Sequence, residues 1–242
     1  MNYEIVKDEK ALKNFITEFL PDLLPGETFY ACLLAKSKYC KGIIHINSDK
    51  RQLKRFTATK ENLFNKIKQC ECELGSYFQL TTPIPQEALA IYISPNPRDL
   101  IKATKNSLKL FVDLITSPYN GYNPQDTAMS EIQKACARKV YLDFDFDGAN
   151  ISHTLPLLES YINMDCVKIL MTRGGFHVLI KLDEVEEKYK KSFYTLISHM
   201  HYVDKIGDHL IPIAGCTQGS YVPILYPFEK REIVEKNCNN LS

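Results

Sequence analysis

Three aspartates alternate with apolar residues in the run from Val140 to Asp147. In a β-strand, side chains two residues apart point to the same face, so Asp143 and Asp145 project together, with Asp147 if the strand extends that far. Carboxylates held side by side repel one another and lose hydration, which is costly unless cations neutralise them. A charged edge strand that resists aggregation is the alternative. The apolar residues are typical of a central strand, so the run predicts a divalent-metal site.

A second candidate element is Thr172-Arg173-Gly174-Gly175, followed by His177. The two glycines provide flexible backbone amides and the arginine provides a fixed cation, which together suit a triphosphate. A simple hairpin turn and a structural histidine are the alternatives. The neighbouring acidic strand favours the phosphate-binding interpretation.

The helices and strands predicted around these residues indicate a mixed α/β (α+β) protein. Residues 117–127 are rich in Pro, Gly, Asn and Tyr and predict a joint between an N-terminal α/β module, 1–127, and a second module, 128–242. We expect the two modules to form one compact domain. The first module has predicted helices at 8–20, 63–70 and 100–115 and strands at 28–34 and 88–94. The second has predicted strands at 139–145, 167–172, 175–182 and 209–214 and helices at 152–163 and 184–200.

The order βαββαβ in the second module is the split arrangement of ferredoxin-like domains, RNA-recognition modules and polymerase palms. Right-handed crossovers place its first and third strands side by side and antiparallel, with the fourth strand flanking the first. Asp143 and Asp145 are then expected beside Gly175–His177 and beside residues 203–208, which lead into the fourth strand. A third carboxylate from that segment would complete a two-metal cluster.

Positive charge is concentrated between Lys36 and Lys68, where ten lysines or arginines accompany two acidic residues. Interleaved Tyr39, Phe56 and Phe64 could stack on unpaired bases while the cations neutralise phosphates. A solvated surface is an equally good interpretation. Further along, a stiff Pro-Asn-Pro turn is expected to hold Arg98 at a strand end.

Composition predicts the compartment. The chain has 242 residues, 45% hydrophobic and 24% charged, which is ordinary for a globular protein with a sizeable core. No run reaches the roughly 18 to 20 apolar residues that cross a membrane, and the N-terminus does not resemble a signal peptide. Its eight cysteines are scattered, so we expect reduced thiols and a cytoplasmic protein with no membrane association.

These motifs resemble those of the archaeo-eukaryotic primase superfamily, the primase-polymerases, and especially its compact phage and mobile-element forms. Leu142–Asp145 is similar to the family's hydrophobic-Asp-hydrophobic-Asp strand, Gly175–His177 to its small-x-His element, and Val203-Asp204 to its hydrophobic-Asp element. Leu210–Gly219 is similar to a family strand that ends in Pro-Gly-Thr or Pro-Gly-Ser, although Ala214 stands where proline is common. The resemblance covers residues 136–228.

The resemblance implies a nucleotidyltransferase: a DNA primase that makes short primers on single-stranded DNA for phage or mobile-element replication. Two Mg²⁺ or Mn²⁺ ions would be held by Asp143, Asp145 and a third carboxylate, which is Asp204 by its motif or, as the alternative, Asp208. Asp147 would end the strand or support the site from outside.

The resemblance also implies contacts to an incoming NTP or dNTP. His177 and Arg173, with the amides of Gly174 and Gly175, would bind its phosphates, while Arg98 and the basic stretch are candidates for nucleotide or template contacts. No phosphate-loop motif of a helicase occurs in the chain. The helicase and the replicative polymerase would therefore be separate proteins.

Two other functions are consistent with the same residues. A non-catalytic, RNA-recognition-like module would bind single strands by stacking bases on the open sheet face. Strand parity instead places Phe144 toward the core and carboxylates on that face. A two-metal nuclease or phosphohydrolase also uses acidic clusters, and the Gly-Gly-x-His element only weakly favours triphosphate binding over hydrolysis.

Overall fold

The computed structural model describes residues 1–40, 51–79, 81–116 and 123–227. These residues mix helices with strands, which confirms the α/β class, and most of the strands form two five-stranded sheets. Within these ranges, no helix is long and apolar enough to cross a membrane. The strands are β1 (Glu27–Ala35), β2 (Arg51–Ala58), β3 (Phe78–Gln79), β4 (Thr82–Pro83), β5 (Leu89–Ile93), β6 (Arg98–Asp99), β7 (Tyr141–Asp147), β8 (Val167–Met171), β9 (Gly175–Lys181), β10 (Val203–Gly207), β11 (Ile211–Pro212) and β12 (Ile224–Leu225). The helices are α1 (Glu9–Asn14), which continues as a π-helical turn (Phe15–Phe19), α2 (Lys60–Lys68), α3 (Leu100–Thr116), α4 (Pro124–Lys134), α5 (Ile151–Tyr161) and α6 (Phe193–Ser198).

The first sheet has the order β11-β5-β1-β2, and the short β6 pairs with the start of β1. Its central strand, β1, is buried along almost its whole length because both faces are covered. Phe29 and Leu33 contribute to the main hydrophobic core, whereas Tyr30 and Cys32 on the opposite face belong to a second cluster. A continuous apolar sequence is what such a two-sided strand requires.

The second sheet has the order β10-β7-β9-β8-β12. Strands β7 and β9 are neighbours and antiparallel, as predicted for the first and third strands of this part, and Asp145 stands opposite His177. Phe144 and Phe146 pack in a core with residues of α5 and α6. Because side chains alternate, the three aspartates of β7 face the other way, toward the first sheet.

The predicted fourth strand at 209–214 is wrong. The strand that flanks β7 is β10, Val203–Gly207, whereas Ile211–Pro212 forms β11 and pairs with β5 in the first sheet. Ile211 and Ile213 are completely buried in the main core, which removes their apolar side chains from water. The more polar β10 lies at a sheet edge, where charged side chains reach solvent.

Several other boundaries differ from the prediction. The predicted helix 184–200 is reduced to α6, because residues 186–191 are mostly charged and provide few apolar side chains to bury. Strand β2 and helix α4 were not predicted. Residues 117–122 of the expected joint lie outside the described ranges, and Asn123 already caps α4 by accepting a hydrogen bond from Gln125 N.

The Pro-Asn-Pro turn connects the two sheets. The Asn96 side chain accepts hydrogen bonds from Val140 N and Tyr141 N at 2.8 and 2.7 Å. It donates to Tyr141 O and to Asp208 Oδ1, both at 2.9 Å. Next to it, Arg98 forms a bidentate ion pair with Asp208. One turn thus ties the start of β7 and the end of β10 to the first sheet.

Candidate active site

A cleft of about 420 Å³ lies between the two sheets, at the end where β7 finishes and β9 begins. The structure brings six of the predicted site residues together in it: Asp145, Asp204, His177, Arg173, Gly174 and Gly175. The remaining lining residues are Lys36, Lys38, Tyr39, Tyr92, Asp147, Thr172, Lys205, His209, Leu210 and Gln218. Acidic and basic side chains therefore share one enclosed surface.

Asp143 lies behind the cleft rather than in it. Its side chain is completely buried, and both of its carboxylate oxygens are 3.0 Å from Nδ1 of His177. With the proton on Nδ1, the ring donates to Asp143 and keeps Nε2 directed at the cleft, 3.8 Å from Asp145 Oδ1. Asp143 thus orients the imidazole, whereas Asp145 is the carboxylate that the cleft exposes.

Charge and burial oppose each other at this pair of strands. Burial lowers the pKa of His177, but the charge and hydrogen bond of Asp143 outweigh it, so that the net shift is upward. Burial raises the pKa of Asp145; the charge of His177 opposes this rise, and the charge of Asp143 adds to it. Both shifts mean that the site gains from additional positive charge.

A β-bulge in β10 explains why two consecutive residues line the cleft. Val203 stands opposite Phe146 and Lys205 stands opposite Asp145, so Asp204 is an extra residue in the strand. The Lys205 ammonium lies 2.6 Å from Asp204 Oδ2. The hydrogen bond to Asp204 raises the pKa of Lys205, and the charges of Asp204, Asp145 and Asp147 raise it further, against a smaller effect of burial. The carboxylates therefore already hold one cation among them.

The donor chemistry of this group fits a divalent cation. Asp145, Asp147 and Asp204 offer carboxylate oxygens, the ligands that Mg²⁺ and Mn²⁺ prefer, and the Lys205 ammonium marks a place where positive charge is stabilised. In the part of the chain that is described, no three His, Cys, Asp or Glu side chains are arranged to hold a metal ion. To bind a metal ion, the Asp204 carboxylate would have to release the Lys205 ammonium.

The turn between β8 and β9 carries the predicted phosphate element. Thr172 N donates to Gly175 O at 2.9 Å, which closes a tight hairpin. A Cβ on Gly175 would overlap the carbonyl oxygen of Phe146, so close strand pairing requires glycine at this position. Arg173 N donates to Gln218 Oε1 at 2.9 Å, and its guanidinium lies 4.5 Å from the centre of the Tyr39 ring. The turn therefore presents one firmly held cation to the cleft.

The first part of the chain contributes further residues to the cleft, and Tyr92 is one that the sequence did not single out. Lys36 Nζ lies 4.6 Å from the centre of the Tyr92 ring, and Gln218 Nε2 donates to the Tyr92 hydroxyl at 3.3 Å. Lys36 and Tyr39 belong to the basic stretch, which gave a partial signal for them. Nothing in the apolar sequence of β5 indicated that Tyr92 faces a functional cleft.

Arg98 and Asp208 are not among the residues that line the cleft. Arg98 is almost fully buried, and its guanidinium is paired with the Asp208 carboxylate, which also accepts from Asn96. The candidate nucleotide contact and the alternative third carboxylate thus neutralise each other outside the cleft. Of the two candidates for the third carboxylate, Asp204 is the one that lines the cleft.

The basic stretch is divided between two surfaces. Lys36 and Lys38 line the cleft, while Lys54, Arg55 and Lys66 line a separate groove of about 710 Å³ along β2. Residues 41–50 of this stretch lie outside the described ranges. A contribution to nucleotide or template binding stays a prediction for both surfaces.

Comparison with known proteins provides no relative for this chain. No protein-family model matches it, and no curated protein or solved structure matches it. The residues of the cleft and their geometry are therefore what indicate a function.

Proposed function

We propose that the cleft binds a nucleoside triphosphate and catalyses metal-dependent nucleotidyl transfer to the 3′-hydroxyl of a nucleotide or primer paired with a single-stranded DNA template, as a primase of the primase-polymerase type. One observation carries the proposal. The carboxylates of Asp145 and Asp204 line the same cleft as the basic side chains of Arg173, His177 and Lys36. A triphosphate complexed with divalent metal needs both kinds of group within a few ångströms of each other.

The carboxylates are the residues that would hold the metal. Asp145 lies on the central strand β7, and the β10 bulge delivers Asp204 beside it. When bound, Mg²⁺ or Mn²⁺ would lower the pKa of the attacking 3′-hydroxyl and neutralise charge on the leaving pyrophosphate. Lys205, once displaced from Asp204, would be available to neutralise an anionic oxygen of the substrate.

The basic side chains of the cleft would bind the phosphates. The Arg173 guanidinium stacks on the Tyr39 ring, and Gln218 accepts a hydrogen bond from the Arg173 backbone N–H, so the guanidinium loses little conformational freedom when it binds. His177 is oriented by Asp143 and directs Nε2 into the cleft. Arginine pairs with phosphate in a bidentate manner, which suits the β and γ positions of a triphosphate.

The arrangement of the strands supports a palm-like catalytic module in the second part of the chain. The order β10-β7-β9-β8 is the one that a βαββαβ unit adopts, with the acidic strand in the centre. The first part covers the face that carries the aspartates and supplies Lys36, Tyr39 and Tyr92. We infer that both parts form a single primase unit, and that helicase and replicative polymerase are separate partners.

The sheet face also argues against the non-catalytic alternative. The face of β7 and β9 that would stack bases carries Asp145 and His177 instead of aromatic rings, and carboxylates repel phosphate. A nuclease would use similar carboxylates. The direction of the reaction separates it from a primase, because one extends chains and the other shortens them.

The decisive experiment measures whether the purified protein synthesises primers from labelled nucleotides. Single-stranded DNA, Mn²⁺ and either ribonucleotides or deoxyribonucleotides are supplied, and oligonucleotides and pyrophosphate are measured. We expect both products from the wild type and neither from Asp145→Asn. Asp165→Asn removes an exposed carboxylate outside the cleft and is expected to retain activity.

Thermal unfolding of both variants shows whether they fold. Synthesis by folded Asp145→Asn at the wild-type rate would contradict the proposal. Release of mononucleotides from the template, without chain extension, would instead identify the cleft as a nuclease site.

A further inference from the structure

Helix α3 has an apolar face that is exposed along its whole length. Ile101, Leu108, Val112 and Ile115 are 61%, 57%, 59% and 85% exposed. Their spacings of seven, four and three residues place them in one row at 3.6 residues per turn. The row is about 21 Å long at 1.5 Å per residue. Leu108, Val112 and Ile115 are adjacent on this face, and Lys105 lies between them and Ile101. An exposed apolar patch of this kind marks an interaction site more often than scattered exposed residues do.

The opposite face of α3 is already occupied. Ala103 and Ser107 are buried where α3 packs against α4. Asp99 caps the helix by accepting a hydrogen bond from Lys102 N at 2.9 Å. The exposed row is therefore a second apolar face on a helix that the fold already holds in place, and it needs no rearrangement to bind.

Three lysines border the row on one side. Lys102, Lys105 and Lys109 follow the same flank at spacings of three and four residues. Among the described residues, neither Lys105 nor Lys109 has an acidic partner within ion-pair distance. The surface thus combines a hydrophobic stripe with an edge of three lysines, whose charge Asp99 and Asp113 at its two ends offset only in part.

We propose that this α3 surface is a docking site for an acidic amphipathic helix of a protein partner. Such a helix would place its apolar residues against Ile101, Leu108 and Val112 and its carboxylates against the lysine edge. This is the helix-in-groove mode of recognition, with charge complementarity that fixes orientation. A second copy of the chain fits less well, because antiparallel pairing of two α3 helices would bring their lysine edges together.

The proposal is independent of the nucleotidyl-transfer cleft, since no residue of α3 lines that cleft. Its test uses the full-length protein and two fluorescein-labelled synthetic helices of about 20 residues, roughly 30 Å long, which is enough to cover the row. One peptide carries leucines on one face flanked by glutamates, and the other has lysines in place of the glutamates. Fluorescence anisotropy at low salt measures both affinities.

We expect the acidic peptide to bind at least about tenfold more tightly than the basic one, which is about 1.4 kcal/mol. Leu108→Asp should weaken its binding about tenfold, whereas Leu157→Asp, an exposed leucine on α5, should not. Combined Lys105→Glu and Lys109→Glu should reverse the preference between the peptides. These three variants change exposed positions, so their folds should be retained.

Three outcomes would overturn the proposal. One is equal affinity for both peptides, or affinity that Leu108→Asp leaves unchanged. Another is a dimer in sedimentation experiments that Leu108→Asp dissociates, which would identify a second copy as the occupant. The third is binding to phosphatidylglycerol vesicles but not to the acidic peptide, which would identify a membrane surface instead.

Discussion

Asp143 places both of its carboxylate oxygens 3.0 Å from Nδ1 of His177, although the two residues are 34 positions apart in the sequence. The carboxylate is completely buried, and the imidazole lies between it and the cleft. Two aspartates on one strand face therefore have different roles. Asp143 positions a histidine, and Asp145 faces the cleft.

The stability of this pair can be measured by a double-mutant cycle. His177→Leu leaves a buried carboxylate without its donor and should lower the free energy of unfolding by about 3 kcal/mol. Asp143→Leu combined with His177→Leu removes both polar groups and should recover a large part of that loss. Urea unfolding of the four proteins measures the coupling. Losses that simply add would show that the two side chains do not interact.

Lys205 should compete with metal for the carboxylates. Replacing it with Gln removes a cation that lies 2.6 Å from Asp204, so Mn²⁺ affinity should increase several-fold, on the order of 1 kcal/mol. Asp204→Asn should decrease Mn²⁺ affinity. Isothermal titration calorimetry measures both effects, with Asp165→Asn as the control. Weaker Mn²⁺ binding by Lys205→Gln would mean that the metal does not replace the ammonium.

Metal binding should also depend on pH. Burial raises the pKa of Asp145 and the neighbouring Asp143 adds to the rise, so Asp145 takes up a proton at a higher pH than an exposed aspartate does. Because the metal binds the ionised form, Mn²⁺ affinity should fall as the pH is lowered through this raised pKa. Calorimetric titrations at successive pH values test this. Constant affinity from pH 7 down to about pH 4, near the ordinary aspartate value, would contradict it.

Gly175 should be far less replaceable than its neighbour Gly174. A Cβ at Gly175 would overlap the Phe146 carbonyl oxygen and force β7 and β9 apart, at a cost of about 2 kcal/mol or more. A Cβ at Gly174 would come within 3.0 Å of Asp147 Oδ1, a side-chain atom that can rotate away. Gly174→Ala should therefore cost less than about 1 kcal/mol. Similar unfolding midpoints for the two alanine variants would show that the strands can separate there without penalty.

Arg98 should stabilise the protein rather than take part in synthesis. Arg98→Met removes the cation that pairs with Asp208 and leaves this largely buried carboxylate with neutral donors such as Asn96, so the free energy of unfolding should fall by about 3 kcal/mol. Lys60→Met breaks an ion pair with the exposed Asp22 and should cost less than about 1 kcal/mol. Primer synthesis by Arg98→Met, measured well below its unfolding temperature, should stay near the wild-type level. A large loss of activity in the folded variant would place Arg98 in the substrate site.

The acidic strand and its neighbour were predictable because their signals are local. Alternation over Tyr141–Asp147 fixes which face each side chain takes, and the βαββ order fixes which strands are adjacent. The same reasoning placed His177 near the aspartates. It could not show that the Asp143 carboxylate contacts Nδ1 of His177, because a hydrogen bond between two side chains does not change the alternation of apolar and polar residues along a strand.

The rest of the site depends on features without a periodic signal. A bulge at Asp204 adds one residue to β10, so the side-chain alternation there does not predict that Asp204 and Lys205 share a surface. The sequence predicted that Ile211–Pro212 lies in the same sheet as β7. In the structure this segment pairs with β5 of the first sheet, and Ile211 is buried in the larger, main hydrophobic core. Long-range partners such as Arg98 and Asp208, 110 residues apart, are visible only once the chain is folded.

The position of β11 has a consequence for how the protein is made. Strand β5 belongs to the first sheet, but its outer neighbour, Ile211–Pro212, is synthesised about 120 residues later, which takes roughly 6 to 24 seconds on a ribosome. Until then the nascent first part exposes an unpaired strand edge beside an incomplete core. The first sheet can therefore be completed only after residues 211–212 have been synthesised. Fragments that end before residue 211 should be prone to aggregation.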